Sequence, residues 1–132
     1  MGPSLGARAR TSFSLGLDRA ARALFVRRVA GQPVPPVKKI HAVIGAGSPG
    51  SAAFRYAIVG QQTYEMINAV LLCNDIEVDG DILDFGCGSG RVIRWFRGHP
   101  GGEVVGTDYN PVLVEWCRGH LGDFRFGVND VD

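Results

Sequence analysis

The sequence lacks any long hydrophobic run. None approaches the ~18 consecutive apolar residues that a transmembrane helix requires, and the longest candidate, Ile67 to Cys73, is short and contains Asn68. Its 132 residues are enough for one globular domain. The composition, 45% hydrophobic and 20% charged, is ordinary for a soluble protein. These features argue against a membrane protein.

Cysteine is scarce. The three cysteines, at positions 73, 87 and 117, form no Cys-x-x-Cys pair and have no zinc-type spacing to the three histidines. We therefore predict no metal site and reduced thiols, which are typical of a cytoplasmic protein. Cys87 lies in a glycine loop with no histidine close in sequence to activate it, so we expect it to be a small packing residue and not a nucleophile.

Acidic residues are almost absent from the start of the chain. Residues 1–39 carry eight basic side chains and one acid, whereas residues 40–132 carry six basic and twelve acidic ones. Apolar spacing predicts an amphipathic helix from Leu17 to Val29, ended by Gly31 and the prolines after it. We interpret residues 1–36 as a basic, partly disordered leader with this helix and a Pro-rich linker. A mitochondrial transit peptide is the alternative, and nucleic-acid binding is not indicated because no known module accompanies the charge.

After the linker, short strands alternate with helices. This alternation favours an α/β fold, a Rossmann-like parallel sheet with right-handed crossovers and flanking helices. Asn110-Pro111 is a typical helix start, with an N-cap residue followed by Pro at the first helical position. The predicted strands cover residues 82–85, 103–107 and 124–128, and the predicted helices cover residues 63–74, 91–97 and 110–119.

Two glycine-rich segments are candidates for nucleotide binding. The first, Gly45–Gly50, has the GxGxxG spacing of flavin and nicotinamide enzymes and follows a plausible strand over residues 39–44. Such a site needs an acid ~20 residues further on, at the end of a second strand, to hold the ribose. Glu65 falls in that window, but inside a helical pattern with no strand before it. A flavin- or NAD-binding oxidoreductase is therefore kept only as an alternative.

The second segment, Asp81 to Arg91, has all the expected parts in order. It follows a turn signal, runs along an apolar strand and bends through three alternating glycines into a predicted helix. Asp108 comes twenty-two residues after Gly86, at the end of the next strand, where a ribose-binding acid is needed. Glycines let the backbone approach a ligand closely, and a carboxylate accepts from both ribose hydroxyls. A glycine turn that binds nothing is the alternative.

The stretch Leu83–Gly90, an acid after apolar residues followed by GxGxG, resembles motif I of the class I S-adenosylmethionine-dependent methyltransferases. The resemblance continues through Gly106–Pro111 and Phe124–Asp130 and covers roughly residues 61–132. It implies that residues 37–132 are a domain that binds S-adenosyl-L-methionine (SAM). It also implies an enzyme that transfers a methyl group to an unidentified acceptor, which we expect to be a small molecule. A non-catalytic cofactor-binding fragment or subunit is the alternative.

The resemblance also implies roles for individual residues. The glycine loop would wrap the methionine carboxylate and amino group, with Asp84 near that amino group, unless Asp84 only caps its own loop. Asp108 would bind the ribose, and Tyr109 or Asn110 would border the adenine, although Asn110 suits a helix cap equally well. Asp130 would accept from the adenine amino group. The predicted cofactor-binding residues are Asp84, Phe85, Gly86, Cys87, Gly88, Gly90, Asp108, Tyr109, Asn110, Asn129, Asp130 and Val131.

In this family the groups facing the substrate come largely from the fourth strand onward, and the first strand is central in the sheet. The sequence ends at Asp132, after the third predicted strand. We therefore name no catalytic residue and interpret the domain as the first three strands of the fold, truncated on its C-terminal side. The strand Ile82–Phe85 would then have an open edge, through which the chain could self-associate.

Overall fold

The computed structural model describes residues 28–46 and 49–129, with the side chains of residues 49 and 50 outside that description. Among the described residues, no helix combines the length and the apolar character needed to cross a bilayer. The helices are α1 (Val37–Ile44), α2 (Pro49–Cys73) and α3 (Pro111–His120), with a 3-10 helix at Ile93–Phe96. The strands are β1 (Arg28–Val29), β2 (Gln32–Pro33), β3 (Ile82–Phe85), β4 (Val104–Asp108) and β5 (Arg125–Val128).

Strands β3, β4 and β5 form a parallel sheet in the order β3-β4-β5. The 3-10 helix lies between β3 and β4 along the chain, and α3 lies between β4 and β5. In the register, Ile82 pairs with Val104 and Val105 pairs with Arg125. The predicted α/β fold is confirmed, with each of its three strands within one residue of the predicted range. The parallel direction brings the carboxyl ends of all three strands to the same edge of the sheet.

The two faces of this sheet differ. On one face Val104, Gly106 and Asp108 are buried, and α3 contributes a core cluster of Trp116, Cys117 and Leu121. Side chains alternate between faces along a strand. Leu83 and Phe85, which point to the opposite face, are 61% and 76% exposed. No strand among the described residues pairs with the outer edge of β3.

Before the sheet, β1 and β2 form an antiparallel hairpin. Its two-residue turn, Ala30-Gly31, has positive φ angles of 52° and 74°, as the twist of a tight hairpin requires. The predicted helix over Leu17–Val29 is therefore wrong at Arg28 and Val29, and its other residues lie outside the described part of the chain. Gly31 closes a hairpin turn and does not cap a helix.

Residues 37–73 are more helical than the sequence predicts. The stretch over residues 39–44, predicted as a strand, lies within α1, and α2 is a continuous helix of 25 residues. Gly60 lies inside α2 because the helix packs closely there: a Cβ at this position would lie 2.4 Å from the carbonyl oxygen of Arg91. Burial of Ile40 against α2 holds the two helices together.

Candidate functional site

The loop Gly86–Gly90 begins where β3 ends. The amides of Gly86 and Cys87 both donate to the carbonyl of Thr107 on β4, at 2.7 and 2.9 Å, so the loop is fixed to the neighbouring strand. Gly86, Gly88 and Gly90 have φ angles of +78°, +56° and +75°. Only glycine adopts such angles without strain, and the backbone path therefore accounts for the alternating glycines.

Close packing constrains two of these glycines, whereas the third is open. A Cβ on Gly88 would lie 2.8 Å from a methyl group of Val43 on α1, and one on Gly90 would lie 2.4 Å from a methyl group of Leu121. A Cβ on Gly86 would meet no atom within 4 Å. Gly86 thus borders free space at the carboxyl edge of the sheet, which is where parallel α/β sheets bind ligands.

Asp108, at the end of β4, is joined to the glycine loop. Its side chain is 5% exposed. One carboxylate oxygen accepts from the amide of Gly88 at 2.8 Å, and the other accepts from the amide of Asn110 at 2.9 Å. An ionised carboxylate offers about four lone pairs, so each oxygen retains one acceptor position. A carboxylate with one acceptor position left on each oxygen can accept from two adjacent hydroxyl groups, such as those of a ribose.

Asp84 lies at the end of β3 and accepts a hydrogen bond from the amide of Ile93 at 3.2 Å. Burial raises the pKa of its carboxyl above the ordinary value, and the Ile93 amide and the charge of Arg91 only partly offset that effect. The negative charge of Asp108 raises this pKa further. Asp84 therefore accepts from the first residue of the 3-10 helix and not from the glycine loop that it was expected to cap, and its role at a methionyl amino group stays a prediction.

Cys87 packs inside the loop. Its side chain is buried, and a hydrogen bond with Cys117, together with burial, raises the pKa of its thiol well above the usual range. The thiol is thus neutral at physiological pH, whereas a strong nucleophile would have to be a thiolate. The structure gives Cys87 the surroundings of a packing residue.

The remaining predicted residues lie around Asp108 and the loop. Phe85, the last residue of β3, is 76% exposed, and Tyr109, directly after β4, is 80% exposed. Asn110 caps α3, because its side-chain oxygen accepts from the amide of Val112 at 3.0 Å. The amide of Asn129 donates to the backbone carbonyl of Asp108 at 3.0 Å. Asp130 and Val131 lie outside the described residues.

Among the described residues, the first glycine segment lacks the flanking strand and acid that the second one has. Gly45 follows a helix, and its amide donates to the carbonyl of His41 as part of the C-terminal cap of α1. Glu65 is exposed on α2 and accepts from Gln61 at 2.8 Å. A dinucleotide site needs a strand before the glycines and an acid at the end of a second strand. The oxidoreductase alternative therefore loses its structural basis.

Sequence reasoning missed a buried polar group next to the loop. Arg94 and Tyr56 are both 0% exposed, and they contact the carbonyls of Ser89 and Gly90. Arg94 lies within a short apolar stretch of the sequence, between Ile93 and Trp95. A single arginine there resembles the solvent-facing residue of an amphipathic helix, so the pattern held no signal of burial.

The chain matches one protein-family model over part of its length and is similar to a solved structure. Residues 82–132 match the family model described as a methyltransferase domain. The matched segment begins at the first residue of β3. The chain is similar to the crystal structure of a TehB-like SAM-dependent methyltransferase from Corynebacterium glutamicum ATCC 13032 Kitasato, with 26% identity and a TM-score of 0.38. That match covers 59% of this chain and 47% of the other, so the chain spans about half the length of that enzyme. Over residues 82–132, the family match agrees with the predicted resemblance to a methyltransferase domain.

Proposed function

We propose that the chain binds S-adenosyl-L-methionine through the loop Gly86–Gly90 and Asp108. It would serve as the cofactor-binding portion of an enzyme that transfers a methyl group to an acceptor. The observation that carries the proposal is the position of Asp108: it is hydrogen-bonded to the loop, with an acceptor position left on each oxygen. The methyltransferase-domain match over residues 82–132 supports it independently.

The residues of this chain would bind and orient the cofactor. Asp108 would accept from the ribose hydroxyls, in charge-assisted hydrogen bonds. The open side of Gly86 would admit the ligand against the backbone, where any side chain would occupy the space. SAM itself supplies an activated methyl group, so catalysis depends mainly on positioning this group against the acceptor.

The test is calorimetric titration of the 132-residue chain with SAM and, separately, with NAD. We expect saturable binding of SAM and none of NAD. Asp108→Asn should weaken SAM binding by roughly 100-fold or more, because hydrogen bonds to a charged group contribute about 1.5–3 kcal/mol each and two are affected. Circular dichroism of the variant would verify that it is folded.

The matched control is Glu65→Gln, which removes the acid that a dinucleotide site at Gly45–Gly50 would use. SAM affinity should be unchanged in this variant. Binding of NAD that is lost in Glu65→Gln and kept in Asp108→Asn would contradict the proposal and restore the oxidoreductase alternative.

A further inference from the structure

Arg94 is a fully buried arginine with no acidic partner among residues 28–46 and 49–129. Its guanidinium instead donates to backbone carbonyls: Gly90 at 2.7 Å, Pro33 at 2.9 Å and Ser89 at 3.3 Å. A buried charge is costly unless its donors are hydrogen-bonded. Arg94 meets this condition with carbonyl groups, two of which belong to the glycine loop.

Tyr56, on α2, completes the same network. Its hydroxyl donates to the carbonyl of Ser89 at 2.7 Å and accepts from Arg94 at 3.0 Å and from the Ser89 hydroxyl at 3.3 Å. The guanidinium also lies over the tyrosine ring, 5.1 Å from its centroid. Burial raises the pKa of Tyr56 to about 12, so the hydroxyl keeps its proton and remains a donor at physiological pH.

The glycine loop is thus held from two directions. On one side the amide of Gly88 donates to Asp108. On the other side the carbonyls of Ser89 and Gly90 accept from Tyr56 and Arg94. The bonds from Tyr56 and Arg94 fix two consecutive peptide planes, those after Ser89 and Gly90. They also tie the loop to α2 and, through Pro33, to the hairpin.

We propose that Arg94 and Tyr56 are positioning residues that hold the glycine loop in the conformation needed to bind the amino-acid end of the cofactor. This inference rests on the proposed function. Asp108 faces the ribose in that function, whereas the loop faces the methionyl group. Removing the hydrogen bonds that hold the carbonyls of Ser89 and Gly90 should therefore weaken contacts to the methionyl group. Contacts to the nucleoside should remain nearly unchanged.

Two ligands separate these ends of the cofactor. S-adenosylhomocysteine has the amino-acid group, and 5′-methylthioadenosine lacks its carboxylate and amino group. Tyr56→Phe, which removes only the hydroxyl, should weaken S-adenosylhomocysteine binding about tenfold, the scale of one buried hydrogen bond. The affinity for 5′-methylthioadenosine should change less than about twofold, whereas Asp108→Asn should weaken both ligands.

The control is Tyr64→Phe, which removes a hydroxyl group from another tyrosine of α2. The ring of Tyr64 packs against Trp95 and Phe96. Neither affinity should change in that variant. Arg94→Lys is a second test, because lysine keeps the charge but cannot reproduce the fork of donors. Arg94→Lys should again weaken the binding of S-adenosylhomocysteine alone. The control is Arg97→Lys, at an arginine on the surface.

Equal weakening of both ligands in Tyr56→Phe would show a general structural role and overturn the positioning proposal, as would no weakening of either. If one of the two variants fails to fold, the other decides by the same criterion. A wild-type chain that binds neither ligand would contradict the proposed function itself, an outcome distinct from equal weakening in a variant.

Discussion

The two glycine-rich segments of this chain have similar sequences and different surroundings. Gly45 ends a helix, in open space, with its amide bonded one turn back to His41. Gly86, Gly88 and Gly90 follow a strand, and all three have positive φ angles. The second loop is also bonded to an acid at the end of the next strand.

This difference shows where the information in a glycine motif lies. Glycine spacing alone predicts only that a backbone turns, and both segments have that spacing. The preceding strand and the acid of the second strand decide whether that turn faces a ligand site at the carboxyl edge of a sheet. Of the two segments, Gly86–Gly90 is the one with both neighbours, which is why the proposed cofactor site lies there.

The largest effect should come from adding a methyl group to each segment. Gly90→Ala would need a strained φ of +75° and would overlap Leu121 and approach Cys117. We expect a loss of roughly 3 kcal/mol or more in the free energy of unfolding. Gly45→Ala meets only the backbone strain, since no atom lies within 4 Å, and should lose about 1–2 kcal/mol.

Urea denaturation of the two glycine variants measures these free energies. Equal losses would contradict the structural difference between the segments. A larger loss in Gly45→Ala than in Gly90→Ala would show that the first segment is the more tightly packed of the two.

The sequence predicted the sheet and the position of Asp108 because both depend on local patterns. Apolar stretches bounded by turns marked β3, β4 and β5, and the spacing from Gly86 placed Asp108 at the end of β4. Asn110 followed by proline also marked the start of α3 correctly. Each of these signals lies within a few residues of the feature that it predicts.

Tertiary contacts decided what the sequence did not predict. Gly60 suggests a break in a helix, yet it permits α2 to contact the backbone of Arg91. Residues 39–44 were predicted as a strand before the first glycine segment, but burial of Ile40 between helices favours α1. The burial of Arg94 depends on the carbonyls of Pro33, Ser89 and Gly90 meeting at one point. A local sequence pattern cannot predict a contact of Arg94 with a residue as distant in sequence as Pro33.

A smaller effect on stability should come from replacing Asp84, the second acid beside the glycine loop. Because burial raises its pKa in the folded state, its ionisation costs stability, and this cost appears as pH rises through the folded pKa. Asp84→Asn removes the ionisation and keeps an oxygen for the amide of Ile93. The variant should match wild type at pH 3 and become more stable than wild type towards pH 7.

Thermal unfolding of both proteins across this pH range tests the prediction, with Glu65→Gln, at an exposed acid, as the control. A variant that is less stable than wild type at pH 7 would show that the charge of Asp84 stabilises the fold. In that case its bond to Ile93 would outweigh the effect of burial.

The most direct measurement is an NMR titration of the ¹⁵N-labelled chain with S-adenosylhomocysteine, observing the glycine amides of both segments. We predict large, saturable shifts of the amide signals of Gly86, Gly88 and Gly90, and of Tyr109 directly after β4. The amide signal of Gly45 should not shift. Shifts confined to Gly45–Gly50, with the amides of residues 86–90 unchanged, would contradict the assignment of the cofactor site.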